Sequence, residues 1–121
     1  MAFSITSTTT RRQLLDAGAL LDVTRLAHGH RIVIPTAITA AAWKSCGGRP
    51  AEFATARGDS LAGRILAAAR AQAVHSRPST LAAAGLGFAL EDTSGLIVEL
   101  ELLVGPGDSG EPVATIDVAG Y

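Results

Sequence analysis

Residues 96–104, Leu-Ile-Val-Glu-Leu-Glu-Leu-Leu-Val, constrain the chain more than any other stretch. Leu96, Val98, Leu100, Leu102 and Val104 share one parity, and Ile97, Glu99, Glu101 and Leu103 share the other. Successive strand side chains point to opposite faces, so this period reads as a half-buried strand. Leu86, Phe88 and Leu90 repeat the pattern before it, and Ala114, Ile116 and Val118 repeat it after. The segments between, Glu-Asp-Thr-Ser-Gly at 91–95 and Gly-Pro-Gly-Asp-Ser-Gly-Glu-Pro at 105–112, are built from turn residues. The spacing predicts an antiparallel three-stranded meander over about 85–118.

Upstream of Gly85 the period is helical. Residues 59–75 have Asp59 as an N-cap and an apolar stripe of Leu61, Ile65, Leu66 and Ala69, with Pro78 beyond the end. Residues 36–46 offer Thr36 as a cap, Ile38, Ala42 and Trp43 at helical spacing, and Gly47-Gly48 as a stop. A shorter helix opens at Thr10 and stops at Gly18. Ala19–Thr24 and Arg31–Pro35 read as short extended pieces, and Phe53 as the anchor of the 47–58 loop. The expected fold class is therefore α+β. One domain spans 1–121, with N-terminal helices (about 10–77) packed on a C-terminal three-stranded antiparallel meander. Aromatics make up only 4% of residues, so the core must be Leu, Ile, Val and Ala around Trp43, Phe53 and Phe88. The single cysteine, Cys46, allows no internal disulfide. The N-terminus lacks the apolar run of a signal peptide, and no stretch reaches the roughly 18 apolar residues of a membrane span. The expectation is a cytoplasmic protein with no membrane partner.

Gly107-Asp108-Ser109-Gly110 spells the tetrapeptide around the nucleophile of trypsin-like proteases. That chemistry needs a histidine and an aspartate assembled between two barrels, and this chain is about half the necessary length. The turn reading accounts for each residue: Gly105, Gly107 and Gly110 permit positive φ, Pro106 presets its own φ, and Asp108 and Ser109 bond nearby backbone. His28 and His30, with Cys46 or His75, have a spacing too common to specify a metal, and no phosphate-loop pattern occurs. Neither catalytic residues nor a metal or cofactor is expected.

The charge layout is more informative. Through Arg77 there are ten Lys and Arg against four carboxylates, a net of +6. From Pro78 on there is no Lys or Arg, and Glu91, Asp92, Glu99, Glu101, Asp108, Glu111 and Asp117 give −7. Either the halves neutralise one another in the fold, or the surface is bipolar and docks a charged partner or a second copy.

Thr10-Arg11-x-Gln13, Gly18-x-Leu20-x-Asp22-Val23-Thr24, Pro35 and Trp43, with Gly105-Pro106-Gly107-Asp108-x-Gly110-Glu111-Pro112-Val113 and Ile116, form two end patterns covering about half the chain. They resemble a small uncharacterised bacterial family carried on plasmids, prophages and integrative elements. The middle, Leu61–Arg70, departs from the bulkier and more polar residues of that family. The resemblance implies a mobile-element accessory protein and supplies no catalytic residues. Proteins of that setting often block host defence machinery, CRISPR–Cas effectors included. The first expectation is a non-catalytic inhibitor of a host protein, a nucleic-acid-binding effector being the natural target. Glu99, Glu101 and Asp117 are the outward candidates, with Glu91 and Asp92 beside them. The alternative is a nucleic-acid-binding regulator using Arg64, Arg70 and Arg77, and a small hydrolase ranks third.

Overall fold

The computed structural model describes residues 9–74, 85–92 and 94–119. It shows a five-stranded mixed sheet backed by helices. In chain order the elements are α1 (Arg11–Asp16), β1 (Leu20–Asp22), α2 (Thr24–Gly29), β2 (Thr36–Thr39), α3 (Ala40–Ser45), a 3₁₀ turn (Pro50–Glu52), α4 (Ala56–Ala73), β3 (Leu86–Glu91), β4 (Ile97–Pro106) and β5 (Pro112–Val118). The strand order is β1-β2-β5-β4-β3. β2 runs parallel to β5, and every other neighbouring pair is antiparallel.

This corrects the expected three-stranded meander. The sheet gains β1 and β2 from the N-terminal half, and the parallel β2–β5 pair joins residues nearly eighty positions apart. Periodicity within a window cannot reveal such a pairing. Thr36–Thr39 was also expected to open a helix. Three of its four residues are β-branched, and they fit a pleated, buried surface better. Thr39 both ends β2 and caps α3, its Oγ1 accepting from the Ala42 N–H at 3.1 Å. The helix expected at 36–46 therefore shrinks to 40–45, and the one expected at 59–75 begins earlier, at Ala56 behind the cap Thr55. Arg31–Pro35 is an arch rather than a strand. Arg31 has φ 63°, and Val33 is 81% exposed. The Pro35 carbonyl accepts from the Ala114 N–H at 2.8 Å, which starts the parallel register.

One sheet face, the inner one, carries Ile38, Ala114, Ile116, Leu100, Leu102, Leu86 and Phe88, all buried. α4 lays Ala62, Ile65, Leu66 and Ala69 in the same core, as do α3 through Ala42 and Trp43 and α2 through Ala27. Trp43 meets Phe53 edge to face, centroids 5.6 Å apart. Its Nε1 donates to the Arg49 carbonyl at 2.9 Å, so the 47–58 loop is pinned to the core. α1 is tied to the outer face of β5 by Arg11, whose guanidinium donates to Thr115 Oγ1 at 2.7 Å and to the Ala114 carbonyl at 2.8 Å. Among the described residues, no helix is long and apolar enough to cross a membrane.

Two glycines of α4 give opposite outcomes for one substitution. Replacing a mid-helix glycine by alanine normally stabilises by about 0.5–1 kcal/mol. At Gly63 an added Cβ would meet only His30 Nε2 at 3.7 Å, so Gly63→Ala raises the melting temperature by about 2–6 °C. At Gly58 the Cβ would sit 2.1 Å from the Glu52 carbonyl oxygen. Gly58→Ala therefore costs about 1–3 kcal/mol as overpacking outweighs propensity. Thermal unfolding of the two variants checks both signs.

Candidate functional site

Asp108 organises the Gly-Asp-Ser-Gly turn. Its two carboxylate oxygens accept from the backbone N–H groups of Arg11 at 2.8 Å and Arg12 at 3.0 Å, the open start of α1. The Ser109 N–H donates to Glu111 Oε1 at 2.9 Å, and the Gly107 N–H donates to the Glu111 carbonyl. Ser109 Oγ makes no hydrogen bond among the described residues. His30 lies beside Gly63 of α4, on the helix-backed side of the sheet, and no bond links it to the turn. The glycines need a correction: only Gly110 takes a positive φ, 83°. A Cβ at Gly107 would press only on the flexible end of Glu111. Burial pulls the Arg11 guanidinium below its ordinary pKa, opposed by the charges of Asp22, Asp108 and Glu111. Cys46 is fully buried, and loss of solvation pushes its thiol up to about 11, away from any reactive role. Among the described residues no group of three or more His, Cys, Asp or Glu stands close enough to hold a metal ion.

The expected carboxylates converge on the outer face, away from α4. Register places Glu101 directly across from Asp117 on β5 and from Gly87 on β3. Glu99 follows on the same strand, opposite Ala89, and Glu91 extends the face along β3. Glu99 and Glu91 are exposed, whereas Glu101 and Asp117 are half-buried. Asp117 Oδ1 accepts from Thr39 Oγ1 at 2.8 Å. Asp92 is different. Its Oδ1 accepts from the Ser94 N–H, the Ser94 hydroxyl and the Leu96 N–H, at 2.8, 2.7 and 2.9 Å. The Ser94 hydroxyl above all, helped by those N–H groups, holds Asp92 below the usual carboxylate pKa range. It shapes the β3–β4 turn and is a weaker contact candidate than the other four.

The two charged halves do not cancel by pairing. The ion pairs among the described residues are Arg12–Asp16, Arg25–Asp59 and Arg57–Glu52, at 3.5, 3.6 and 3.3 Å, all inside the basic half. Glu91, Glu99, Glu101 and Asp117 have no Lys or Arg partner there. The arginines expected to make a nucleic-acid stripe are dispersed. Arg64 and Arg70 are six residues apart, about 120° around α4. Arg64 reaches the Glu91 carbonyl and lines a cleft of about 410 Å³. Arg70 lines a separate, apolar hollow of about 160 Å³ with Ile32, Ile34 and Leu102. Arg77 lies outside the described residues, as does His75. Sequence reasoning missed the cleft, which gathers Arg49, Arg57 and Arg64 around Trp43. Its only signal was the density of arginine in a loop that precedes a long helix.

No family model, curated protein or solved structure matches the chain.

Losing the Asp108 carboxylate leaves two helix-start N–H groups unsatisfied, so Asp108→Ala costs about 1 kcal/mol. Ser109→Ala is neutral within about 0.5 kcal/mol. Denaturant titration reads both, and equal losses at the two positions contradict this assignment. Native Cys46 stays unreactive toward a thiol reagent at pH 8 and reacts once the chain is denatured. Rapid modification of the native protein contradicts its burial.

Proposed function

We propose that the protein is a non-catalytic binding protein whose outer sheet face docks a basic surface of a protein partner. The observation that carries this reading is the facing of Glu101 and Asp117. Like charges directly opposite one another on neighbouring strands destabilise a sheet. Neither carboxylate forms an ion pair among the described residues, Glu99 and Glu91 enlarge the same field, and the outward positions of β3, β4 and β5 hold no Lys or Arg, Arg11 of α1 reaching this face at Thr115. A rule of local stability broken on an open face is what a binding surface requires, since the missing counter-charge is then supplied by the partner.

The finer reading rests on chemistry and setting together. A row of carboxylates suits a Lys/Arg-rich groove that otherwise holds a phosphate backbone. The resemblance of both chain ends to a family of mobile elements favours a host defence effector as the owner of that groove. The protein then acts as a counter-defence inhibitor of the anti-CRISPR type, by occupying the nucleic-acid site.

Glu101→Lys separates this reading from a purely structural role. It turns a repulsive pair into an attractive one, so it raises the melting temperature by about 2–5 °C. Together with Glu99→Lys it slows association with the captured partner by about tenfold. Wild-type association slows as salt rises, because screening lengths fall to about 8 Å near physiological ionic strength. The measurement is partner capture from nuclease-treated host extract, then association kinetics at low and high salt. Salt-insensitive binding, indifferent to both reversals, would sink the proposal.

A further inference from the structure

The cleft of about 410 Å³ lies on the helix-backed side of the sheet, between the 47–55 loop and the first three turns of α4. Its volume falls in the range of small-ligand sites, about 300–1,000 Å³. Three guanidiniums border it: Arg49 from the loop, Arg57 from the first turn of α4 and Arg64 from the third. Glu52 is the one carboxylate in the lining, and it is engaged by Arg57 at 3.3 Å and by the Arg49 N–H at 3.2 Å. Two cationic charges therefore remain uncompensated. Arg64 is held by one Nη2 bond to the Glu91 carbonyl, which fixes the guanidinium and leaves its remaining N–H groups to donate elsewhere.

The walls are built closely. The loop approaches α4 so tightly that a Cβ at Gly58 would strike the Glu52 carbonyl oxygen. A Cβ at Gly48 would lie 2.5 Å from the Trp43 ring. Trp43 and Leu61 supply the apolar part of the lining. The arrangement thus combines a fixed hollow, an apolar flank and a net charge of about +2.

The geometry points to a binding site for a small phosphomonoester in this cleft. A phosphomonoester dianion matches the two uncompensated charges, and its three terminal oxygens accept several guanidinium N–H bonds at once. A carboxylate brings half the charge and fewer acceptors. The cleft is a half-open hollow of limited volume, which suits a small molecule better than a nucleic-acid backbone, whose binding needs a long track of cations. This inference uses side chains other than those of the acidic face, the two meeting only at the bond from Arg64 to the Glu91 backbone carbonyl.

The test is isothermal titration of the full chain with phenyl phosphate, in parallel with benzoate at matched ionic strength. Trp43 fluorescence serves as a local reporter. The expected result is saturable one-to-one binding of phenyl phosphate and none of benzoate. Arg49→Gln and Arg64→Gln each weaken it by about tenfold, the loss of one charge-assisted hydrogen bond. Arg12→Gln, on α1, leaves it unchanged. Melting temperatures of the variants establish that the fold survives, and the Arg49 side chain, which makes no bond among the described residues, is the safer of the two. Three outcomes overturn the proposal: no saturable signal, a loss as large in Arg12→Gln as in Arg49→Gln, or preferential binding of a single-stranded oligonucleotide that Arg70→Gln weakens equally.

Discussion

The parallel pairing of Thr36–Ile38 with Ala114–Ile116 is the contact on which the rest of the structure depends. It is the single seam between the N-terminal and C-terminal halves of the sheet. The Ala114 N–H bond to the Pro35 carbonyl sets its register, and Ile38 then meets Ile116 in the core. Thr39 falls beside Asp117 by the same register, and Thr115 falls within reach of Arg11. A slip of one residue would turn Ile116 outward and Asp117 inward. The seam thus decides at once which side of β5 is core and which carboxylates can reach a partner. Pairing of this sequence separation carries an entropic cost of closure, which the dense packing around Ile38, Ile65, Leu66 and Ile116 offsets.

Local patterns in the sequence carry the faces of the strands well. Leu86, Phe88, Leu100, Leu102 and Ile116 turn inward, and Glu99 turns out, as the period of two requires. Long α4 is equally legible from its apolar stripe, and its start is displaced because Thr55 takes the cap and Asp59 falls in the first turn. β1 and β2 are less legible for a physical reason. A three- or four-residue strand is stabilised by its neighbours rather than by its own pattern, and Thr36–Thr39 merges into the helix that it caps. The meaning of Gly-Asp-Ser-Gly was half visible. Turn chemistry is local, but the engagement of Asp108 with the start of α1 joins residues almost a hundred positions apart.

The site residues show the same division. Parity along β4 places Glu99 and Glu101 on one face without any structure, yet it cannot show that Asp117 stands opposite Glu101. That juxtaposition is what makes the face unusual. Conversely, Arg64 and Arg70 look alike in sequence, and helical geometry sends them to different hollows. Arg49 joins Arg57 and Arg64 of α4 only because Trp43 and two glycines draw the loop down onto that helix.

The two charged surfaces therefore act as separate fields. A helix packs with its axis about 10 Å from the layer beneath it, and its own radius adds about 5 Å. Arg57 at the start of α4 stands on that far side of the core, whereas Arg64 reaches the edge strand and bonds the Glu91 carbonyl. Screening in physiological salt falls off over about 8 Å, so charges separated by the core act on one another only weakly through solvent. The ion pairs that do form stay within the basic half. A near-zero net charge thus conceals an acidic row on the outer face of β3, β4 and β5, bordered by Arg11 at Thr115, and an arginine-lined cleft on the helix side. The two meet at the bond from Arg64 to the Glu91 carbonyl, and side chains away from that bond, sharing no partners, contribute independently.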